Sequence, residues 1–228
     1  TTYVSKVVDK INSLDGDLVV FTGDIVNRRT SELHPFVRPL SRLRAKDGVY
    51  SILGNHDYGD YSEWPSEEHK AQNMVMMDSL QAAMGWRLLR NEHCMLRAGN
   101  DSIALIGVEN VGDPPFTVYG SLPDSYPSLN DDVTKLLLTH NPAHWCTDIA
   151  DNDSVNVALA LAGHTHAMQI EMFGLSPAAW RYDTWGGLYE DSKSTHKLYV
   201  NIGMGTVALP MRFGATPEIA VITLRRGK

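Results

Sequence analysis

The sequence predicts an α/β fold in which helices and strands alternate through the first half of the chain and strands pair in the second half. Two observations carry this prediction. Apolar residues recur at helical spacing in several segments, and short apolar runs between them end in Gly, Asp, Asn or His. With 228 residues, 43% of them hydrophobic and 21% charged, the chain has the length and composition of one large globular domain, residues 1–228.

The first half gives three helices and two strands. Val4, Val7, Val8 and Ile11 lie on one helical face, so a helix is expected over 3–14. Buried strands are expected over 17–24 and 48–57, since both are apolar runs that end in a polar loop. Further helices are expected over 32–46, interrupted by two prolines, and over 66–84, whose methionines favour core packing over ligand binding.

The second half is richer in strands. Its apolar segments predict a hairpin over 87–110 and single strands over 133–142, 155–166, 197–203 and 218–226. A loop rich in Trp, Gly and Tyr over 174–195 separates the last two of these strands from the others. The aromatic side chains of that loop either line the entrance to a substrate pocket or pack within the loop.

The overall charge argues against some classes of partner. The net charge of −7 disfavours nonspecific nucleic-acid binding, because neutralising phosphates requires clustered Lys and Arg. An anionic substrate stays possible, since bound metal ions can reverse the charge of a site. The two cysteines, Cys94 and Cys146, form no CxxC pair and no disulfide framework. No apolar run reaches the about 18 residues that span a bilayer, and no signal peptide is visible.

Four predicted strands end in residues that can bind metals. These ends are Gly23-Asp24, Gly54-Asn55-His56-Asp57, His140-Asn141 and Gly163-His164-Thr165-His166. Open α/β sheets bind ligands beyond the carboxyl ends of their strands. Carboxylate and imidazole are the usual ligands of zinc, manganese and iron.

Each of these motifs alone has an ordinary structural explanation. Gly-Asp after a strand is often a simple turn, and a single His at a strand end is more often a hydrogen-bonded histidine than a ligand. In an extended segment, His164 and His166 would share one face because side chains alternate with a period of two. The four motifs together, each at a strand end, favour a metal site.

The motifs "GDIVNR", "GNHD", "LLLTHNP" and "GHTH" resemble those of the calcineurin-like metallophosphoesterase superfamily, in its bacterial branch often found behind N-terminal membrane helices. The resemblance covers essentially the whole chain. It implies a four-layer α/β/β/α sandwich of two mixed sheets with two divalent metal ions, Mn, Zn or Fe, between them. It also implies hydrolysis of a phosphate ester by a metal-bound hydroxide.

The resemblance assigns roles residue by residue. Asp24 would bridge the two metals, and Asn55, His140 and His164 would complete one site. His166 would belong to the other site. His56 takes the place of the histidine that approaches the leaving group as a general acid or transition-state stabiliser.

The chain departs from this family pattern at its first motif. No D-x-H occurs within residues 1–23, where a strand would precede the first helix. We therefore expect this sequence to be part of a longer protein, trimmed after its first strand. The site of His166 would then keep only Asp24 as a second ligand, so His166 is predicted to hold metal weakly while His164 is engaged.

Four further residues are candidates for the reaction. Asn27 stands where some relatives carry an aspartate that orients the catalytic histidine, and Asp57 could serve His56 instead. Near the C-terminus, Asn201 and Arg212 are candidates for substrate binding, because a guanidinium can bind phosphate bidentately. An ordinary packing or surface role for both is equally compatible with the sequence.

The predicted function is that of a metal-dependent phosphoesterase acting on a mono-, di- or pyrophosphate ester. A lipid-linked substrate such as UDP-2,3-diacylglucosamine is one option, with membrane association through an N-terminal segment and no nucleic acid as a regulator. The alternative is a non-catalytic scaffold or binding module, which the absent D-x-H motif keeps open. A zinc amide hydrolase is disfavoured because no HExxH motif is present.

Overall fold

The computed structural model describes residues 2–113 and 117–225 and contains two β-sheets. Within these residues the helices are α1 (Thr2–Ser13), α2 (Val37–Leu40), α3 (Glu67–Ala83), α4 (Leu122–Ser125) and α5 (Pro142–Asp148), with 3-10 turns at Thr30–Phe36, His166–Gln169 and Pro177–Trp180. The strands are β1 (Val19–Phe21), β2 (Val49–Ser51), β3 (Arg87–Leu88), β4 (Glu92–Ala98), β5 (Asp101–Gly107), β6 (Thr134–Leu138), β7 (Leu159–Ala162), β8 (Gly187–Glu190) and β9 (Lys197–Val200).

The two sheets differ in their strand directions. The smaller sheet has the order β1-β2-β3 and is parallel throughout. The larger sheet has the order β4-β5-β6-β7-β9-β8, with parallel pairs in its centre and antiparallel pairs at both edges. The carboxyl ends of β1 and β2 therefore lie side by side, and so do those of β6 and β7.

The layers follow from the alternation of side chains along the strands. On β6, Leu136 and Leu138 face the smaller sheet, where they pack in one core with Ile52 and Leu89, while Leu137 packs on the opposite face with Trp145 of α5. A third cluster places α1 and α3 on the outer face of the smaller sheet. The order is helix, sheet, sheet, helix, which confirms the predicted sandwich.

The boundaries of α3 have a clear local origin. Ser66 occupies the N-cap position without a capping side-chain hydrogen bond, and Glu67 and Glu68 in the first turn complement the positive end of the helix dipole. Gly85 follows the helix with a φ of 78°, the left-handed conformation that commonly ends helices. Met77 is fully buried against the smaller sheet, as expected for a methionine-rich packing face.

Several sequence-based boundaries were wrong. The loop over 174–195 contains β8, which pairs with β9, and the start of the predicted hairpin, Arg87–Leu88, joins the smaller sheet as β3. The segment predicted as a strand over 218–226 forms none over 218–225, the part that the structure describes. No neighbouring strand pairs with it there, and its alternating apolar residues stay largely exposed. Among the described residues, no helix is long and apolar enough to cross a membrane.

Candidate metal centre

Four predicted ligands meet between the two sheets. Asp24 and Asn55 follow β1 and β2 of the smaller sheet, and His140 and His164 follow β6 and β7 of the larger sheet. Because each pair of strands is parallel and adjacent, each sheet delivers two ligands at one edge. Within the part of the chain that the structure describes, Asp24, His140 and His164 are the one group of three or more acidic, His or Cys side chains close enough to share a metal ion.

The ligand atoms of these side chains converge on one point. His140 Nε2 lies 3.1 Å from Asp24 Oδ2, 3.1 Å from Asn55 Oδ1 and 3.2 Å from His164 Nδ1. Asn55 Oδ1 and His164 Nδ1 are 2.9 Å apart. Ligand atoms ~2.0–2.1 Å from a tetrahedral ion lie roughly 3.3 Å from one another, so a small divalent cation fits this set. Asp24 Oδ2 is also buried without a hydrogen bond, as expected of a ligand atom.

Two glycines allow the loops to approach this closely. Gly23 has a φ of 95°, and a Cβ there would lie 2.5 Å from the nitrogen of Gly54. A Cβ at Gly54 would lie 2.2 Å from Asp24 Oδ1 and 2.5 Å from His140 Cε1. The glycines before Asp24 and before Asn55 are therefore required, because the two ligand loops pack closely against each other and against His140.

Asp24 and His164 are in the protonation states that a metal ion requires. Burial raises the pKa of Asp24, but the charge of His140, whose Nε2 lies 3.1 Å from Asp24 Oδ2, outweighs burial and holds the pKa well below its usual range. Burial lowers the pKa of His164 to about 3, and the charge of His140 contributes to the shift. Because His164 is neutral at physiological pH, its Nδ1 lone pair is free for a metal. At His140, burial lowers the pKa but the charge of Asp24 raises it above its usual value, so metal binding there would displace a proton.

A helix start fixes the orientation of His140. Asn141 caps α5 by accepting a hydrogen bond from the backbone N–H of Ala143, and Pro142 occupies the first helical position. His140 immediately precedes this cap, and its Nδ1–H donates to the carbonyl of Thr22 over 2.7 Å. The hydrogen bond leaves Nε2 as the nitrogen that faces the other ligands.

Asp57 connects the loop that carries Asp24 with the loop that carries Asn55. Its carboxylate accepts hydrogen bonds from the backbone N–H groups of Asp24, Gly54, Ile25 and Val26 at 2.8–3.2 Å, and the side chain is fully buried. Burial and the charge of Asp24 raise the pKa of Asp57 to about 7. All four neighbours are donors, so no acceptor is in place for a carboxyl proton, and the geometry favours the carboxylate.

His56 lies beside the ligand cluster and lines a pocket together with His164 and His166. Its backbone N–H donates to Asp24 Oδ1 over 3.0 Å, and its Nδ1–H donates to the backbone carbonyl of Asn27 over 2.6 Å. This contact corrects the prediction for Asn27, whose main chain orients the histidine while its side chain is exposed. Asp57 makes no described hydrogen bond to the ring, because backbone amides occupy both of its oxygens.

The two histidines of "GHTH" reach the site by an unexpected backbone path. The segment is not extended: His164 and His166 have φ values of 71° and 51°, and positive φ continues through Gln169. The shared face predicted from a period of two is therefore wrong, because a left-handed turn, not a strand, carries both rings. His166 Nε2 lies 3.8 Å from Asp24 Oδ2, and its Nδ1 is buried without a partner.

The two C-terminal candidates interact mainly with their own loop. Three nitrogens of Arg212 donate to the carbonyls of Ile202, Gly205 and Ala215 at 2.7–3.3 Å. Asn201 Oδ1 accepts from the backbone N–H of Gly203. These contacts stabilise the loop beside His166, and a substrate role for either residue stays a prediction.

Sequence reasoning missed two tyrosines that contact the ligands. The Tyr182 hydroxyl lies 3.1 Å from His164 Nε2, and the Tyr61 hydroxyl accepts a hydrogen bond from the amide of Asn55 over 2.8 Å. Tyr182 lies in the aromatic loop that was expected to line a mouth or pack on itself. It does line the pocket, together with His56, His164 and His166.

Tyr182→Phe is expected to weaken binding of one divalent metal ion by ~10–100-fold. When Nδ1 of His164 binds a metal, its Nε2–H needs an acceptor, and the Tyr182 hydroxyl supplies it. Isothermal titration with Mn²⁺ measures the affinity, and Tyr3→Phe, a change at an exposed tyrosine, serves as the control. An unchanged affinity in Tyr182→Phe would show that His164 needs no such partner.

Comparison with known proteins agrees with this geometry. The family model for calcineurin-like phosphoesterases matches residues 2–168. The chain is 36% identical to the uncharacterized metallophosphoesterase YkuE of Bacillus subtilis, covering 97% of this chain and 72% of that one. It is 30% identical to the bovine (Bos taurus) transmembrane protein with metallophosphoesterase domain, covering 98% of this chain and 49% of that one.

A solved structure shares the fold. The NAD nucleotidase of Haemophilus influenzae superposes with a TM-score of 0.52 at 16% identity, covering 86% of this chain and 43% of that one. This likeness concerns the architecture alone. The chain spans about half the length of the bovine relative. From the family match and the relatives, the chain belongs to the calcineurin-like phosphoesterase family.

Proposed function

We propose that this protein hydrolyses phosphate esters with the help of divalent metal ions. The observation that carries the proposal is the convergence of Asp24 Oδ2, Asn55 Oδ1, His140 Nε2 and His164 Nδ1, with His56 beside them at the pocket. Metal ions in such a site polarise phosphoryl oxygens and supply a nucleophilic water near neutral pH. The identity of the metal among Mn, Zn and Fe belongs to this proposal.

In this proposal, His56 handles the proton of the leaving group. Because Nδ1–H is held by the carbonyl of Asn27, a protonated ring presents Nε2–H to the pocket. The contact of the His56 backbone N–H with Asp24 Oδ1 keeps this ring at a fixed position relative to the ligands. His56 thus acts as general acid. Asp24 and the three other ligands would hold the metal ion beside it.

His56→Gln is expected to lower kcat for an alkyl phosphodiester in Mn²⁺ by ~10²–10⁴-fold, with unchanged Mn²⁺ affinity, because an alkoxide leaving group needs a proton. The kcat for bis-p-nitrophenyl phosphate should fall far less, because p-nitrophenolate leaves without one. His34→Gln, at an exposed histidine, is the matched control. The assay is run on the 228-residue chain and on the full product of its gene. Equal turnover of the alkyl phosphodiester by His56→Gln and the unchanged protein would contradict the assigned role.

A second candidate function is that of a non-catalytic scaffold. It is favoured by one observation: among the described residues, the second metal site has only Asp24 and His166. Two protein ligands hold a transition metal poorly. Absence of turnover by both the 228-residue chain and the full gene product, with intact Mn²⁺ binding, would favour the scaffold.

The substrate is proposed at the level of a phosphate mono-, di- or pyrophosphate ester. The hypothesis of a lipid-linked substrate such as UDP-2,3-diacylglucosamine is tested by assaying that compound beside the nitrophenyl ester. The name of the bovine relative, a transmembrane protein, supports membrane association as a proposal for this protein as well. Fractionation of cells that express the full gene product tests it.

A further inference from the structure

A short hairpin projects from the wall of the pocket and exposes an apolar tip. Met172 and Leu175 pair through two backbone hydrogen bonds of 2.9 and 3.0 Å, which leaves Phe173 and Gly174 as a two-residue turn. Their φ values of 54° and 77° are those of a type I′ turn. The exposed fractions are 97% for Phe173 and 74% for Leu175, and no charged residue occurs from 172 to 180.

The residue at the turn is costly for folding. Type I′ turns usually place Asn, Asp or Gly where this turn has Phe173, because bulky side chains disfavour positive φ. A large aromatic ring held in this conformation, and almost fully exposed to water, contributes nothing to the core. Such strain in a native structure indicates that Phe173 serves the function of the protein and not its folding.

The hairpin is firmly connected to the metal centre. Ser176 Oγ donates to the carbonyl of Ala167 over 2.6 Å, next to His166 in the chain. The tip belongs to the segment between Met168 and Tyr182, and the side chains of these two residues line the pocket. The apolar tip is therefore an outward extension of the pocket wall, at a fixed place relative to His164 and His166.

We propose that this tip, formed by Met172, Phe173 and Leu175, inserts together with the exposed Trp180 of the following 3-10 turn into the interfacial region of a lipid bilayer and places the pocket at the membrane surface. A bilayer fits better than a protein partner because the tip is a convex turn and not a groove. Trp180, 91% exposed, is of the type enriched at membrane–water interfaces. The paired backbone groups of Met172 and Leu175 can enter an apolar medium without losing hydrogen bonds.

The charge of the protein determines which lipids are expected. With a net charge of −7 and an uncharged tip, attraction to anionic headgroups cannot drive the interaction. Insertion should therefore occur on zwitterionic phosphatidylcholine vesicles and persist at high salt. It requires neither hydrolysis nor bound metal, so it is independent of the proposed function.

Flotation of the 228-residue chain with phosphatidylcholine vesicles tests the proposal. The double variant Phe173→Ser/Leu175→Ser is expected to lower vesicle partitioning ~10–100-fold, because two large apolar side chains no longer leave water. The control variant Val75→Ser/Val118→Ser, which changes two exposed valines outside the tip, should partition like the unchanged protein. Hydrolysis of the soluble nitrophenyl ester should be the same in all three proteins.

Three results would overturn the proposal. The first is no binding of the unchanged protein to phosphatidylcholine vesicles, and the second is equal binding by the tip variant. The third is a concentration-dependent dimer, seen by sedimentation velocity, that the tip variant abolishes, since the tip would then serve contact with a second copy. Loss of folding in the tip variant is excluded by an unchanged Tm and unchanged ester hydrolysis.

Discussion

Asp24→Ala is expected to abolish tight divalent-metal binding and, with it, phosphoester hydrolysis. Asp24 supplies the carboxylate of the cluster, and its Oδ2 is buried with His140 Nε2 at 3.1 Å and His166 Nε2 at 3.8 Å. Without this charge, the ligands that remain are one amide and neutral or cationic imidazoles. The loss of affinity for Mn²⁺ should exceed the ~10–100-fold typical of residues that only support a ligand.

Two measurements separate the loss of metal binding from unfolding. Equilibrium dialysis with metal analysis gives the affinity directly. Thermal unfolding gives the linkage: Mn²⁺ at 100 times its Kd should stabilise the unchanged protein by ~2.7 kcal/mol and leave Asp24→Ala unaffected. Asp132→Ala, at an exposed aspartate, is the control and should behave as the unchanged protein does. A metal-dependent rise of Tm in Asp24→Ala would contradict the assignment of this ligand.

Asp57→Asn is expected to destabilise the fold by about 3 kcal/mol or more. The carboxylate accepts two N–H groups on each oxygen, and an amide would turn its NH2 toward two of these donors. Each buried donor left without an acceptor costs ~1–3 kcal/mol. For a chain of this size, 3 kcal/mol corresponds to a fall in Tm of roughly 6–12 °C.

The same substitution distinguishes a structural from a catalytic role of Asp57. The four amides belong to the loops that carry Asp24 and Asn55, so metal affinity should fall together with stability. Urea unfolding and Mn²⁺ titration measure the two effects, and Asp132→Asn is the matched control. A variant with native stability and an altered pH profile of kcat would show instead that Asp57 acts on His56.

The sequence pattern predicted most of the strands because they are short, apolar and bounded by Gly, Asp, Asn or His, whereas the sandwich of two sheets was implied by the family resemblance. It also placed Asp24, Asn55, His140 and His164 at strand ends, where parallel neighbours bring them together. It failed over 218–225, the described part of the last predicted strand, since alternation of apolar residues predicts a strand only where a partner strand is present. It missed β8 because "GLYE" is too short to stand out in a loop rich in Gly, Trp and Tyr.

What the sequence determined by itself is the set of ligand types and their order along the chain. Only the tertiary structure decided how they are held. It showed Asp57 bound to four amides, Asn27 contacting His56 through its main chain, and Tyr182 behind His164. Apart from the local hydrogen bond between Gly54 and Asp57, these contacts join residues 18 to 33 positions apart, and local patterns carry no information about such pairs. The left-handed turn at His166 has the same origin, because packing of distant loops imposes a backbone conformation that local preference disfavours.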